Sequence, residues 1–192
     1  METEIKIIKL LIEQKKQMTI REIAKEIESD YKITYVAMQR LIKKNVVLSV
    51  TIGKSTVCEL NQKYYGLDIY QAEDERRKKI LKNSDLKLIT KEIIEKIGTN
   101  LFILLLFGSY AKGMQTKHSD FDIMVISNEK NTEQILHDKV TSLLPFDIHL
   151  LIFTEKEFIS MKDGKDLTVV TEAIKNNIIL YSIENYYRLK NV

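Results

Sequence analysis

The stretch LFILLLFGSYAKGMQTKHSDFDIMVI, Leu101 to Ile126, decides the fold of the larger part of this chain. Its first seven residues form a continuous apolar run of strand length, which is typical of a strand buried on both faces of a sheet. Gly108 and Ser109 follow directly after this run. After a short polar stretch, residues Phe121 to Ile126 alternate between inward and outward positions and predict a second strand.

Two carboxylates stand where the second of these strands begins. Asp120 and Asp122 are two residues apart, so their side chains project from the same face of an extended strand, with about 6–7 Å between their Cα atoms. Two like charges held in this way repel each other unless a cation lies between them. Because the donors are all oxygen atoms, we expect a hard divalent ion, Mg²⁺ or Mn²⁺, at this position.

A third carboxylate, Asp147, interrupts the next hydrophobic run, Phe146 to Phe153. If this run forms a strand beside the second one, Asp147 completes a cluster of three carboxylates. Such a cluster can hold two metal ions about 3.5–4 Å apart, one of which activates the attacking oxygen while the other neutralises the triphosphate that carries the leaving group. Gly108 permits a close approach of the backbone, and the Ser109 hydroxyl is placed to hold phosphate oxygens.

The motif G-S-Y-A-K-G, five further residues and then S-D-F-D-I resembles the signature of the nucleotidyltransferase superfamily of DNA polymerase β. The resemblance is to the minimal branch of that superfamily and covers residues from about 85 to 190. It implies a mixed β-sheet backed by helices. It also implies Mg²⁺- or Mn²⁺-dependent transfer of a nucleoside monophosphate from an NTP, expected to be ATP, with release of pyrophosphate.

The resemblance also assigns roles to individual residues. Gly108 and Ser109 match the phosphate-binding pair of the family. Asp120 and Asp122 match its metal ligands. Asp147 matches the third carboxylate, which would also act as the base toward the acceptor hydroxyl. The resemblance therefore predicts that the three aspartates are both the catalytic residues and the metal ligands.

Several other polar side chains near the motif have two interpretations. Lys112 and Lys117 are either triphosphate contacts or ordinary solvated lysines. Ser119 either belongs to the nucleotide-binding set or caps the turn before the second strand. His118 and His149 are interpreted as ordinary surface or packing histidines, because the family motif does not require them.

The first sixty residues predict three short helices followed by a β-hairpin. The predicted helices cover residues 4–15, a segment that begins after Thr19, and residues 33–44; the strands cover residues 46–52 and 55–60. Thr19 followed by Glu22 is a capping-box pattern. Asn45 is predicted as a left-handed cap.

This order of elements resembles the winged helix-turn-helix family, in which the third helix enters the DNA major groove and the hairpin touches the backbone. The resemblance implies DNA-binding residues on exposed positions of the third helix and on the hairpin, namely Thr34, Tyr35, Gln39, Arg40, Lys43 and Lys54. Gln and Arg suit base edges, whereas Lys suits phosphates. Winged helices also serve as protein-interaction or dimerisation modules, and this alternative stays open.

Charge is distributed unevenly along the chain. Residues 1–65 carry twelve Lys or Arg against eight Asp or Glu, residues 66–100 carry eight against seven, and residues 101–192 carry ten against twelve. The asymmetry suggests a basic module that meets a polyanion, although surface scatter also produces differences of this size. We predict an α+β protein with a winged helix-turn-helix domain at 1–65, a connecting helix at 66–84 and a nucleotidyltransferase domain at 85–192.

Composition limits the class of protein to which this chain can belong. The chain has 192 residues, of which 44% are hydrophobic and 30% charged, which predicts a globular protein with a buried core. Its longest apolar run falls short of the roughly 20 residues that span a bilayer, and its acidic start is unlike a signal peptide. We therefore expect a cytoplasmic protein without a membrane partner. The single cysteine, Cys58, excludes an internal disulfide and is interpreted as a small core residue.

Three hypotheses of function follow. The first is an active nucleotidyltransferase that moves AMP to an acceptor hydroxyl. The resemblance to the minimal branch implies that the acceptor is a tyrosine of a helical toxin protein, with the winged helix binding operator DNA. The second is a transcription regulator that senses nucleotide without turnover. The third is a protein-interaction adaptor, for which the winged helix mediates a homodimer.

Overall fold

The computed structural model describes residues 2–53, 55–164 and 167–192. The chain divides into one compact unit that ends at Glu75 and a second that begins at Arg76. The boundary falls inside a helix, α4, with bounds Leu67–Ile80. Within the described ranges, no helix combines the length and the apolar character that crossing a bilayer requires.

The first unit contains helices followed by a β-hairpin. Its helices are α1 (Glu2–Gln14), α2 (Ile20–Glu26) and α3 (Tyr31–Lys43), and its strands are β1 (Met18–Thr19), β2 (Val47–Ile52) and β3 (Ser55–Leu60). The strands form an antiparallel sheet in the order β1-β3-β2. The short strand β1 has no counterpart in the sequence-based prediction. Lys54, predicted to contact DNA from the hairpin, lies outside the described residues.

Local side-chain signals set where these helices begin and end. At the start of α2, the Glu22 amide donates to the Thr19 hydroxyl at 3.2 Å, and the Thr19 amide donates to the Glu22 carboxylate at 2.7 Å. This confirms the predicted capping box. The bonds from Thr19 lower the pKa of Glu22 from its ordinary value. Asn45, after α3, has φ of 60°, the predicted left-handed conformation.

The helix α3 begins two residues earlier than predicted, because the Asp30 side chain accepts hydrogen bonds from the first turn. Its inward face is the predicted one, formed by Ala37, Met38 and Leu41. Thr34 corrects the prediction: it is 0% exposed, and its hydroxyl donates to the Asp30 carbonyl at 2.9 Å. A threonine can satisfy its hydroxyl on the preceding turn of its own helix. Thr34 therefore faces the core and does not belong to the exposed set.

Cys58 lies on the inner side of β3 and is fully buried as a free thiol. Burial raises the pKa of this thiol to about 11. Because the thiolate is the reactive form of cysteine, a thiol with such a pKa is inert at neutral pH. The interpretation of Cys58 as a core residue is confirmed.

The second unit is an α/β layer structure around one four-stranded sheet. Its strands are β4 (Phe102–Leu106), β5 (Phe121–Ser127), β6 (Ile148–Phe153) and β7 (Ile178–Tyr181). Its helices are α5 (Ser84–Ile97), α6 (Gly108–Ala111), α7 (Thr132–Leu136), α8 (Glu155–Asp163), α9 (Val169–Lys175) and α10 (Ile183–Lys190), with a π-helical turn at His137–Thr141.

The sheet is mixed, as predicted. Its order is β6-β5-β4-β7, in which β4 is antiparallel to both β5 and β7, and β5 is parallel to β6. One face packs on α5 and α7 through a cluster that includes Ile89, Leu104 and Ile123. The other face is covered by elements that include α8 and α10. All five residues of β4 are buried, which matches the continuous apolar run.

Two leucines, one inside β4 and one just before it, are expected to differ in how much they stabilise the protein. We expect Leu104→Ala to lower the free energy of unfolding by about 2–5 kcal/mol, because a cavity remains in the sheet core. The Leu104 side chain is 0% exposed, whereas Leu101, just before the strand, is 75% exposed. We expect Leu101→Ala to change it by no more than about 0.5 kcal/mol. Urea unfolding followed by circular dichroism measures both variants, and equal losses would contradict the assigned limits of the buried strand.

Candidate active site

The starting ends of β5 and β6 lie side by side. In their parallel register Phe121 is opposite Ile148 and Asp122 is opposite His149. The Phe121 amide also donates to the Asp147 carbonyl at 2.8 Å, so the residue before β6 adjoins the first residue of β5. The strand that carries Asp147 is therefore the neighbour of the strand that carries Asp122, which is the condition under which the sequence predicts a three-carboxylate cluster.

Strand geometry assigns the polar residues to one face. Residues opposite each other in register, and residues two apart along a strand, project from the same side of a sheet. Asp120, Asp122, Asp147 and His149 accordingly belong to one face, at the end of the sheet. Asp120 and Asp147 are exposed. The Asp122 side chain is only 25% exposed, because β5 enters the core directly after it.

Gly108 adjoins Asp122 so closely that a side chain at this position would have to displace the Asp122 carboxylate. The φ of Gly108 is +66°, and a Cβ placed on it would collide with the Asp122 carboxylate, chiefly with Oδ2. The sequence-based prediction for this glycine is that it permits a close approach of the backbone to phosphate. The structure adds a second reason: the space that a side chain would fill is occupied by a carboxylate of the site itself.

His149 contacts the same carboxylate from the neighbouring strand. Its Nδ1 lies 3.0 Å from Asp122 Oδ1, and its ring centroid lies 6.5 Å from that of Phe107. Sequence reasoning interpreted His149 as an ordinary histidine and missed this contact. The signal was present in the spacing, since a parallel register that pairs Asp120 with Asp147 also pairs Asp122 with the residue two after Asp147.

The motif predicted to bind phosphate forms the short helix α6 directly after β4. Met114 donates to the Ser109 carbonyl at 2.9 Å, and Lys112 donates to the Gly108 carbonyl at 3.3 Å, so the motif closes on itself. Ser109 is half-buried in the first turn. The Tyr110 ring stacks on Phe121 with 4.4 Å between centroids, which ties the motif to the start of β5.

Two predicted nucleotide-binding side chains have protein partners. The Lys112 ammonium lies 2.8 Å from the Glu172 carboxylate on α9, and this hydrogen bond lowers the pKa of Glu172. The Ser119 hydroxyl accepts a hydrogen bond from the Thr116 amide at 2.8 Å, which is the turn-capping interpretation of that residue. These contacts direct Lys112 and Ser119 to other protein groups and not to the three carboxylates.

The donor set suits a divalent cation in its chemistry. Three carboxylates and a neighbouring imidazole share one face, and oxygen donors are those that Mg²⁺ and Mn²⁺ prefer. Within residues 2–53, 55–164 and 167–192, however, no three His, Cys, Asp or Glu side chains converge closely enough to form a finished metal site. Asp122 is held in place, whereas the exposed Asp120 and Asp147 would have to turn toward it.

The predicted DNA-binding residues lie on α3 in the first unit. Tyr35, Gln39, Arg40 and Lys43 are exposed, as predicted. Arg40 lies 3.4 Å from the buried Glu4 carboxylate. Part of the basic charge on this helix is therefore already balanced by an acidic group of the same unit.

The same helix exposes apolar side chains that the sequence reasoning did not single out. Among the large hydrophobic residues with substantial exposure are Tyr31, Ile33 and Val36 on α3, and Leu48, Val50 and Ile52 on β2. The last three alternate along the strand and so project from the same face of the hairpin.

Comparison with known proteins gives one match. A family model described as polymerase beta, nucleotidyltransferase matches residues 87–186, which is more than half of the chain and includes every residue of the candidate active site. No curated protein and no solved structure matches the chain.

Two glycines with nearly the same positive φ test the packing of Asp122. Gly108 has φ of +66° and Gly113 has φ of +67°, but a Cβ on Gly113 would meet nothing within 4 Å. We expect Gly113→Ala to destabilise the protein by about 1–2 kcal/mol through backbone strain alone. Gly108→Ala carries the same strain and in addition about 1–3 kcal/mol for forcing a methyl group into occupied space.

The free energies of unfolding of the two variants are measured by urea titration. The difference between them reports the contact between Gly108 and Asp122. Equal destabilisation would show that the Asp122 carboxylate does not occupy this space in solution.

Proposed function

This chain belongs to the polymerase beta nucleotidyltransferase family, and we propose that its second unit transfers AMP from ATP to an acceptor hydroxyl. The observation that carries the proposal is the meeting of three chain segments at one end of the sheet. Gly108 and Ser109 follow β4, Asp122 begins β5, and Asp147 precedes β6 in parallel register with β5. Family membership supports nucleotidyl transfer in general; the donor, the metal and the acceptor are our proposal.

In the proposed reaction the acceptor oxygen attacks the α-phosphorus of ATP. The bond between the α-phosphorus and its bridging oxygen to the β-phosphate breaks, and pyrophosphate leaves. Asp147, the exposed carboxylate, takes the proton of the acceptor hydroxyl as general base. Ser109 and the backbone of α6 hold phosphate oxygens. The Lys112 ammonium leaves the Glu172 carboxylate and binds the triphosphate instead.

Asp120, Asp122 and Asp147 would hold Mg²⁺ or Mn²⁺. Bound there, the metal ions would supply positive charge for the triphosphate and activate the acceptor oxygen, as in other two-metal sites. Asp122 is the fixed member of this set, because Gly108 and His149 restrict both of its oxygens. The exposed Asp120 and Asp147 are free to adjust to the substrate.

For the acceptor we propose a tyrosine of a helical toxin protein. The support for it is the resemblance of the motif to minimal nucleotidyltransferases. A phenolic hydroxyl has a pKa of about 10, so a carboxylate base beside it is suited to taking its proton as the oxygen attacks.

Isotope position distinguishes this chemistry from phosphoryl transfer. We expect the full chain with Mg²⁺ to transfer label from α-labelled ATP, but not from γ-labelled ATP, to a tyrosine peptide and to release pyrophosphate. The same peptide with phenylalanine in place of tyrosine is the acceptor control. Asp147→Asn is expected to lower the rate about 10²–10⁴-fold, the usual contribution of a general base.

Glu129→Gln is the matched control, because Glu129 follows β5 at the far end of the sheet and its side chain is exposed. Its rate should equal that of the unaltered chain. Label transfer from the γ-position, or Asp147→Asn with full activity, would contradict the proposed reaction. Nucleotide binding without any pyrophosphate release would favour the regulator that senses nucleotide.

For the first unit we propose DNA binding through α3, with Tyr35, Gln39, Arg40 and Lys43 toward the groove and Lys54 toward the backbone. The exposure of the four residues on α3 supports this proposal. A second candidate is a protein-interaction or dimerisation surface. It is favoured by the apolar side chains that α3 exposes next to the basic ones and by the pairing of Arg40 with Glu4.

Salt dependence separates these two candidates. If α3 binds DNA, duplex affinity falls with salt, and Lys43→Ala reduces the slope of log K against log salt by about 0.9, the value for one lost phosphate contact. Lys130→Ala, an exposed lysine in the second unit, should leave the slope unchanged. Fluorescence anisotropy with a labelled duplex measures both. Absence of salt-sensitive binding would exclude the DNA proposal and favour the protein-interaction surface.

A further inference from the structure

We propose that His149 is a positioning residue that fixes the Asp122 carboxylate in the orientation that a divalent metal requires. This inference rests on the proposed function, because it assigns His149 a task in the metal site of the second unit. It adds a residue that the family motif does not contain. The observation that carries it is the 3.0 Å contact between His149 Nδ1 and Asp122 Oδ1.

The carboxylate is the acceptor in this contact and the imidazole is the donor. A carboxylate that is ionised only accepts hydrogen bonds, and the His149 tautomer with its proton on Nδ1 is the one that donates across this contact. A hydrogen bond to an ionised acceptor is stronger and more directional than one between neutral groups. Asp122 Oδ1 is therefore tied to one position on the neighbouring strand.

The second oxygen of the same carboxylate is restricted by Gly108. Oδ2 occupies the space in which a side chain of residue 108 would lie. With one oxygen bonded to His149 and the other against the backbone of α6, rotation of the carboxylate about its terminal bond is restricted from both sides. Terminal torsions of this kind are otherwise broad, so the restriction requires specific neighbours.

His149 is itself well placed to act as such a neighbour. Its backbone belongs to β6 and is in register with Asp122 on β5, so strand pairing sets the distance between the two side chains. The buried Phe107 ring lies beside the imidazole, with 6.5 Å between the centroids. The first anchor is strand pairing, and the second is the residue that directly follows β4.

A positioning role and a purely structural role predict different losses. The His149 side chain is 54% exposed, and exposed ion pairs contribute little to stability. Removing His149 should therefore leave unfolding almost unchanged. Groups that orient a metal ligand, in contrast, change metal affinity by about 10–100-fold when they are lost.

Binding of Mn²⁺ to the full chain, followed by electron paramagnetic resonance of the free ion, tests the proposal without turnover. We expect His149→Leu to raise the apparent Kd for Mn²⁺ about 10–100-fold, while its Tm changes by no more than about 2–4 °C. His149→Asn places an amide donor near the former Nδ1 and should recover most of the lost affinity. His137→Asn, which alters an exposed histidine elsewhere in the unit, is the control and should bind as the unaltered chain does.

Two outcomes would overturn the inference. Unchanged or tighter binding of Mn²⁺ by His149→Leu would show that the histidine does not orient the ligand. Equal losses in His149→Leu and His149→Asn would show that the ring is needed for packing and not for its donor. Absence of Mn²⁺ binding in the unaltered chain would instead refute the metal site of the proposed function, and the inference with it.

Discussion

The second unit depends on one constraint: a carboxylate must be held at the end of a sheet whose strands are mostly apolar. Asp122 follows a buried phenylalanine and precedes a buried isoleucine on β5. An ionised group in such surroundings needs hydrogen bonds or a cation to compensate for lost hydration. His149 from β6 contacts the carboxylate at hydrogen-bond distance, and the missing side chain of Gly108 leaves room for it. Both features exist because β4, β5 and β6 are adjacent.

The apolar sheet is what makes the site precise. Because both faces of β4 are buried, the end of that strand is fixed, and Gly108 and Ser109 follow it directly. The stacking of Tyr110 on Phe121 then links this motif to the start of β5. Residues built on packed strands hold their geometry better than residues on long loops, which suits a site that must align a triphosphate with an acceptor.

Much of this arrangement could be predicted from the sequence, because the signals are local. The continuous apolar run predicts β4, the capping pattern of Thr19 and Glu22 predicts the start of α2, and the aspartates mark the strand starts. The contact of His149 with Asp122 was missed, because it depends on the register between β5 and β6, which follows from the spacing only once Asp120 is paired with Asp147. Thr34 was misjudged for a different reason: it lies three and four residues before Ala37 and Met38, on the inward stripe of α3, but its polar hydroxyl suggested exposure. That hydroxyl is satisfied by the Asp30 carbonyl, which allows the side chain to be buried.

We propose that Asp120, Asp122 and Asp147 form one metal-binding site beside Gly108 and Ser109. The most direct measurement is a crystal structure of the chain with Mn²⁺ and a non-hydrolysable ATP analogue, with anomalous scattering used to locate the manganese. We expect a manganese peak bound by Asp122 and at least one other of these aspartates, with the triphosphate against α6. A peak bound by other residues, or a triphosphate far from α6, would contradict it.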